Sequence, residues 1–136
     1  MKMNPVVHFE MPYKDQKRAA DFYSKAFGWQ PQVLGPEMGN YVVVSTSEMD
    51  EKAKFPKEPG RINGGLFKRT KPDQYPSVVV AVDDIHAAMK QVEEAGGTVL
   101  DGQKPGQADD IPGIGLYVSI LDSEGNKVGM LQPKGM

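Results

Sequence analysis

There is no cysteine in the chain. That one absence excludes disulfides, thiolate metal ligands and a cysteine nucleophile, and it suits a cytoplasmic protein. Histidine is nearly as scarce, with His8 and His86 as the whole supply. Two imidazoles and no thiol leave few ways to assemble a nucleophile, base and acid. An excess of either charge is missing too. The 16 Lys and Arg stand against 18 Asp and Glu with signs interspersed, so the footprint of a nucleic-acid binder is lacking. No apolar run approaches the roughly 20 residues that span a bilayer. The opening Met1-Lys2-Met3-Asn4-Pro5 carries no apolar signal-peptide segment. Neither nucleic acid nor a membrane is expected as a partner.

What is present is a globular composition. With 136 residues, 39% of them hydrophobic and 25% charged, the chain can bury a core and is not of the disordered class. Val6 to Met11 reads as a strand that Pro12 stops, with Val6, His8 and Glu10 on one face and Val7, Phe9 and Met11 on the other. Asp15 is placed to cap a helix whose inner stripe is Ala19, Phe22, Tyr23, Ala26 and Phe27. Gly28 stands where that helix needs a left-handed residue. Strands follow at Gln32 to Leu34, Tyr41 to Thr46 and Arg61 to Phe67, and Gly64-Gly65 in the last suggests a bulge or a close backbone approach. Residues 48–60, with two prolines and no periodicity, read as an exposed loop.

The order then repeats. Ser77 to Val82 is a β-branched run, and Asp83 or Asp84 caps a helix with Ile85, Ala88, Met89, Val92 and Ala95 inward, ended by Gly96-Gly97. Thr98 to Leu100, Ile114 to Leu121 and Lys127 to Gln132 read as strands, with 101–113 a loop and Asp122 to Asn126 a hairpin turn. Gly96 follows Gly28 by half the chain length. An internal duplication accounts for this, giving a single domain over 1–136 with module one at about 5–70 and module two at about 75–134. Each module reads βαβββ, an α+β arrangement.

Five segments carry a resemblance: His-Phe-Glu-Met-Pro, Ala-Ala-Asp-Phe-Tyr-Ser-Lys-Ala-Phe-Gly-Trp, Val-Asp-Asp-Ile-His-Ala-Ala, Gly-Gly-Thr-Val and Asp-Ser-Glu-Gly-Asn-Lys-Val-Gly-Met-Leu-Gln-Pro. Together they resemble the vicinal oxygen chelate superfamily, the group of glyoxalase, bleomycin resistance protein and extradiol dioxygenase. The resemblance implies two tandem βαβββ modules forming an open half-barrel, a divalent metal held by the first and last strands of each module, and a homodimer. Sheets with β-branched faces and one helix per module point to a homodimer as well.

The ligand positions can be followed residue by residue. His8 matches the first. Its counterpart before the second helix is Ser77, and the last strands carry Gly64 or Gly65 and Gly129. His8 is the only retained ligand position, and one imidazole falls short of the three protein ligands of a catalytic site. No metal and no other cofactor is therefore expected, with a divalent metal held by unplaced loop ligands as the alternative. Glycine in place of a carboxylate leaves room, so an open, partly apolar cavity is expected beside His8.

Without a metal, His8 is a general base, an anchor for a small molecule, or a hydrogen-bonded core histidine. Glu10, on the same face, is its orienter, a second acid, or half of a salt bridge. Trp29 is a pocket wall or a seal on the core edge. Tyr41 and Tyr117 occupy comparable strands, and His86 reads as surface. The expected ligand set is His8, Glu10, Trp29, Ser77 and Gly129. The expected function is small-molecule binding of the glyoxalase and bleomycin-resistance type. The alternative is an enzyme, lyase or dioxygenase-like, acting on a small oxygenated substrate through a metal or through His8 and Glu10.

Overall fold

The computed structural model describes residues 2–51, 56–100 and 102–134. Part of the expected 48–60 loop and the first residue of the 101–113 loop lie outside the described residues. The chain divides into two compact units, His8–Pro76 and Met1–Val7 with Ser77–Met136. The first residues go with the second half for a local reason. Pro5 accepts a backbone bond from Ala81, and Lys2 pairs with Asp83 at 2.8 Å.

Module one runs β1 (Val6–Tyr13), α1 (Gln16–Phe27), β2 (Gln30–Val33), β3 (Val42–Ser45) and β4 (Asn63–Lys68), with a single 3-10 turn at Pro36–Met38. Its strands are ordered β2-β3-β4-β1, with β1 parallel to β4 and the other pairs antiparallel. Pro12 does not stop β1, contrary to the expectation from sequence. Tyr13 accepts from the Arg69 amide beyond β4, so by the alternation of a parallel ladder the Pro12 nitrogen faces away from β4 and no bond to it is lost.

Asp15 caps α1 by accepting from the Arg18 amide, and Gly28 closes it at φ 73°, a conformation that costs glycine little. The inner stripe is rotated from the expected one. Ala20 is buried and Ala19 and Tyr23 half-buried, whereas Phe22, Ala26 and Phe27 lie exposed. Two apolar stripes one residue apart fit the 3.6 period almost equally, and the smaller side chains sit closer to the sheet. The core of this unit is Tyr13, Val42, Val44 and Leu66, packed by Phe9, Met11, Ala19, Tyr23 and Trp29. Leu66, Val42 and Val44 are fully buried, each contributing about 1.5–3 kcal/mol.

Module two runs β5 (Ser77–Ala81), α2 (Ile85–Glu94), β6 (Thr98–Val99), β7 (Asp109–Ile111), β8 (Gly115–Leu121) and β9 (Lys127–Pro133). Asp84 caps α2 by accepting from His86 and Ala87. The strand order is β5-β9-β8-β6, with β7 on β8. Strand β7 falls inside the stretch expected to be loop. Asp109-Asp110 has no strand propensity of its own, and the pairing with Leu116 and Tyr117 supplies what the residues lack. The Asp122–Asn126 turn forms as expected, the Asp122 carboxylate accepting from Glu124 and Asn126. Those bonds, the Asn126 side chain first, hold the Asp122 carboxyl below its usual range. The core is Val82, Ile85, Ala88, Val118, Ile120 and Met130. Both halves are thus α+β, module two adding one short strand to the βαβββ order. Among the described residues no helix is long and apolar enough to cross a membrane.

Candidate functional site

The register of β1 on β4 places His8 opposite Asn63 and Glu10 opposite Gly65. In-register side chains share a face, so His8, Glu10, Asn63 and Gly65 lie on the side of the sheet away from the Phe9, Leu66 and Val42 core. The pairing of β3 with β4 brings Val43 to Gly65, which carries Tyr41, one step before β3, onto the same polar face.

Tyr41 is held there by its turn. Asn40 adopts φ 56°, one of the few side chains that tolerates this region, and its carbonyl accepts from Tyr13 Oη at 2.7 Å and Gln16 Nε2 at 2.8 Å. The Leu34 amide donates to the Tyr41 carbonyl, closing the loop.

The three polar side chains meet. Tyr41 Oη donates to Glu10 Oε2 at 3.0 Å, and His8 Nε2 lies 3.0 Å from Tyr41 Oη. A phenol has one proton, and here the carboxylate receives it. The oxygen is left to accept, so His8 Nε2 carries the hydrogen of the second bond. Burial lowers the His8 pKa below its ordinary 6.5, and the Glu10 carboxylate offsets this only in part. Burial thus favours the neutral imidazole, and with the hydrogen on Nε2 its remaining lone pair is on Nδ1.

Gly64 and Gly65 explain how this fits. A Cβ on Gly65 would overlap the Tyr41 ring, and one on Gly64 would overlap the Phe9 ring. One glycine makes room for an aromatic on the polar face, the next for an aromatic in the core. The register through β4 is continuous, so the pair makes a side-chain seat and not a bulge. The space left by the missing side chain of Gly65 is filled by the Tyr41 ring. Module two repeats the device: a Cβ on Gly129 would come within 2.6 Å of Tyr117 Oη.

The other expected residues fall elsewhere. Trp29 stacks on Tyr23 at 4.8 Å and tilts against Phe9 at 5.5 Å, which puts it on the helix side of the sheet, away from His8 and Glu10. Ser77 is half-buried at the start of β5, and Gly129 is buried in β9 opposite Val79. His86 is exposed in the first turn of α2. A hollow of about 810 Å³ opens at the end of β3, lined by Ser45, Thr46, Ser47, Met49 and Lys57 among others. It touches none of His8, Glu10 and Tyr41.

Sequence reasoning placed His8 and Glu10 on one face but missed Tyr41 as their link. The available signal was the repeat itself, a tyrosine near the start of a middle strand and a glycine in the last strand of both modules. The donor set does not suit a divalent cation. Among the described residues no three His, Asp or Glu side chains converge, and the Tyr41 hydroxyl stands between the two that approach.

The sequence matches the model of the Glyoxalase/Bleomycin resistance protein/Dioxygenase superfamily over residues 6–130. The chain belongs to this superfamily. No curated protein sequence matches it. Solved structures share the superfamily's fold at low identity. The Streptomyces coelicolor methylmalonyl-CoA epimerase in complex with 2-nitronate-propionyl-CoA has a TM-score of 0.69 at 12% identity, covering 99% of this chain and 98% of that one. A methylmalonyl-CoA epimerase in complex with methylmalonyl-CoA and NH4+ also gives 0.69 at 12% identity, over 98% and 97%. The Mycobacterium tuberculosis methylmalonyl-CoA epimerase gives 0.62 at 12% identity, over 94% and 87%. Identity this low carries the fold and nothing finer. The expectation of a superfamily α+β chain built from βαβββ modules is met.

Proposed function

We propose that this superfamily member binds a small organic molecule on the polar face of module one, with His8 and Glu10 as its polar contacts and without a divalent metal at the inherited position. The observation that carries the reading is the Tyr41 hydroxyl joining His8 to Glu10 over Gly65. Two groups already committed to a shared phenol are poor metal ligands and a good polar anchor. Trp29 is left out of the contact set because it faces the core. The similar solved structures in complex with 2-nitronate-propionyl-CoA and methylmalonyl-CoA support a small-molecule role in general.

A second reading is favoured by the neutral state of His8, which is that of a general base. On it the protein is an enzyme of acid–base chemistry on a small oxygenated substrate. We also propose a homodimer, since Val6, Val7 and Val78 are about 40% exposed on β1 and β5 and leave apolar strand surface uncovered.

The test is elemental analysis of protein purified without added metal or chelator, beside His8→Ala. About one metal per chain in the native protein and none in the variant would overturn the metal-free reading. Absence of metal from both, with loss in the variant of binding to aromatic probes that the native protein holds, supports it. Sedimentation should give twice 14.9 kDa at micromolar concentration, and a monomer mass would remove the dimer.

A further inference from the structure

Tyr41 is a polar residue of the site that no ligand-position argument predicts, and its hydrogen bonds have a direction. Tyr41 Oη gives its proton to Glu10 Oε2 and takes one from His8 Nε2. The ring cannot flip the arrangement cheaply. Nδ1–H with a bare Nε2 would set a lone pair against the Tyr41 oxygen, unless the phenol turned its proton from Glu10. The seat over Gly65 and the doubly bonded Asn40 carbonyl keep Tyr41 from moving aside.

We propose that Tyr41 is a positioning residue that locks His8 in the Nε2–H form, so that Nδ1 is the hydrogen-bond acceptor the site offers. No hydrogen bond to Nδ1 is formed among the described residues, and His8 is half-buried, neither sealed nor bare. A site with a fixed acceptor selects a ligand with a donor at the matching place. The ligand class is a small molecule bearing a neutral hydroxyl, such as a phenol or an enol. An analogue lacking the O–H leaves the half-buried acceptor without that bond and binds more weakly. This selectivity rests on the binding role proposed above; the tautomer does not.

The experiment uses protein labelled with 15N in histidine, at a pH where both imidazoles are neutral. Long-range proton–nitrogen correlation spectra distinguish the protonated ring nitrogen from the bare one. Exposed His86, the only other histidine, serves as an internal reference for a freely exchanging ring. His8 should show a single Nε2–H form, and Tyr41→Phe should convert it to a mixture like that of His86. A His8 that is Nδ1–H or mixed in the native protein overturns the proposal, with no variant needed. So does a Tyr41→Phe protein that stays folded and keeps the single form, since a merely structural tyrosine would leave the nitrogen signals alone.

The ligand arm compares 4-methylphenol with 4-methylanisole by chemical-shift titration. At least tenfold tighter binding of the phenol, reduced in Tyr41→Phe, is expected, and equal binding of the two overturns the selectivity. If neither binds while the free protein shows the locked tautomer, the binding role falls and the positioning role of Tyr41 stands.

Discussion

The two modules are built alike where the backbone is concerned and differently where chemistry is possible. In each, a tyrosine leans over a glycine of the last strand: Tyr41 over Gly65, Tyr117 over Gly129. The first strands are in matching register, with Glu10 opposite Gly65 and Val79 opposite Gly129. Stepping back two residues along the same face pairs His8 with Ser77. Module one therefore sets an imidazole and a carboxylate at its tyrosine, while the matching register positions of module two hold a serine and a valine. There Tyr117 has the Ser119 hydroxyl at 3.3 Å. A shared packing device with different polar content teaches that the aromatic-over-glycine seat belongs to the scaffold. The His8–Tyr41–Glu10 chain is built on it in module one.

Filling the glycine seats should break the comparison hardest. Gly65→Ala puts a methyl group into the Tyr41 ring, and small shifts of the ring tip do not clear it because the ring carbons as well as the hydroxyl are too near. We expect destabilisation at the upper end of the roughly 1–3 kcal/mol typical of overpacking, with loss of the His8–Tyr41 bond. Gly129→Ala should cost less, since its Cβ would meet Tyr117 Oη at 2.6 Å and ring carbons no nearer than 2.9 Å. Urea denaturation of both variants checks the order, and a costlier Gly129→Ala would show that the module-two seat is the tighter one.

Much of the scaffold was legible because its signals are local. Asp15 and Gly28 bracket α1 as their residue types require, and Asp84 does the same at the start of α2. Alternation along β1 alone places His8 and Glu10 on one face. What was illegible depended on contacts between distant segments. Tyr41 lies 33 positions from His8, and nothing in a tyrosine after a glycine-rich turn announces a histidine partner. Glycine at 65 read as empty space because sequence shows the absent side chain and not the neighbour that fills it. Phe22 and Phe27 read as core because hydrophobicity outvoted a one-residue rotation of the helix, and Pro12 read as a stop because its free side was invisible.

Acidification should separate the modules next. The folded His8 has a pKa below 6.5, the unfolded one near it. As pH falls through about 6.5 the unfolded chain takes up a proton that the folded chain resists. Stability present above that pH is then lost until the folded pKa is reached. Each unit of depression is worth about 1.4 kcal/mol. Replacing His8 by Gln should flatten the profile of unfolding free energy between pH 7 and pH 5, an unchanged slope placing the acid sensitivity elsewhere. Amide exchange in α2 and β8, whose module has serine at the matching site, should be the less sensitive to the same change once intrinsic rates are corrected.

The helix caps give a smaller contrast. Asp15 accepts one amide bond, at 2.9 Å from Arg18, whereas Asp84 accepts two, at 3.1 Å from His86 and 3.2 Å from Ala87. Each Asp→Ala change should cost about 1 kcal/mol, Asp84 somewhat more. Thermal unfolding monitored by circular dichroism decides it, and equal costs would mean that the second, longer bond at Asp84 adds nothing.

The smallest expected effect tests whether module two has a polar network at all. Ser119 Oγ donates to Tyr117 Oη at 3.3 Å, long for a bond between hydroxyls. Ser119→Ala should then cost no more than a few tenths of a kcal/mol, below the roughly 0.5–1.5 kcal/mol of an ordinary hydrogen bond. Tyr41→Phe should cost about 1 kcal/mol or more, because it removes the hydroxyl that bonds both His8 Nε2 and Glu10 Oε2 in a half-buried place. The pair of variants measures the difference in kind between the copies. If Ser119→Ala matched Tyr41→Phe, the hydroxyl pair of module two would be a second organised site, and the assignment of chemistry to module one alone would have to be given up.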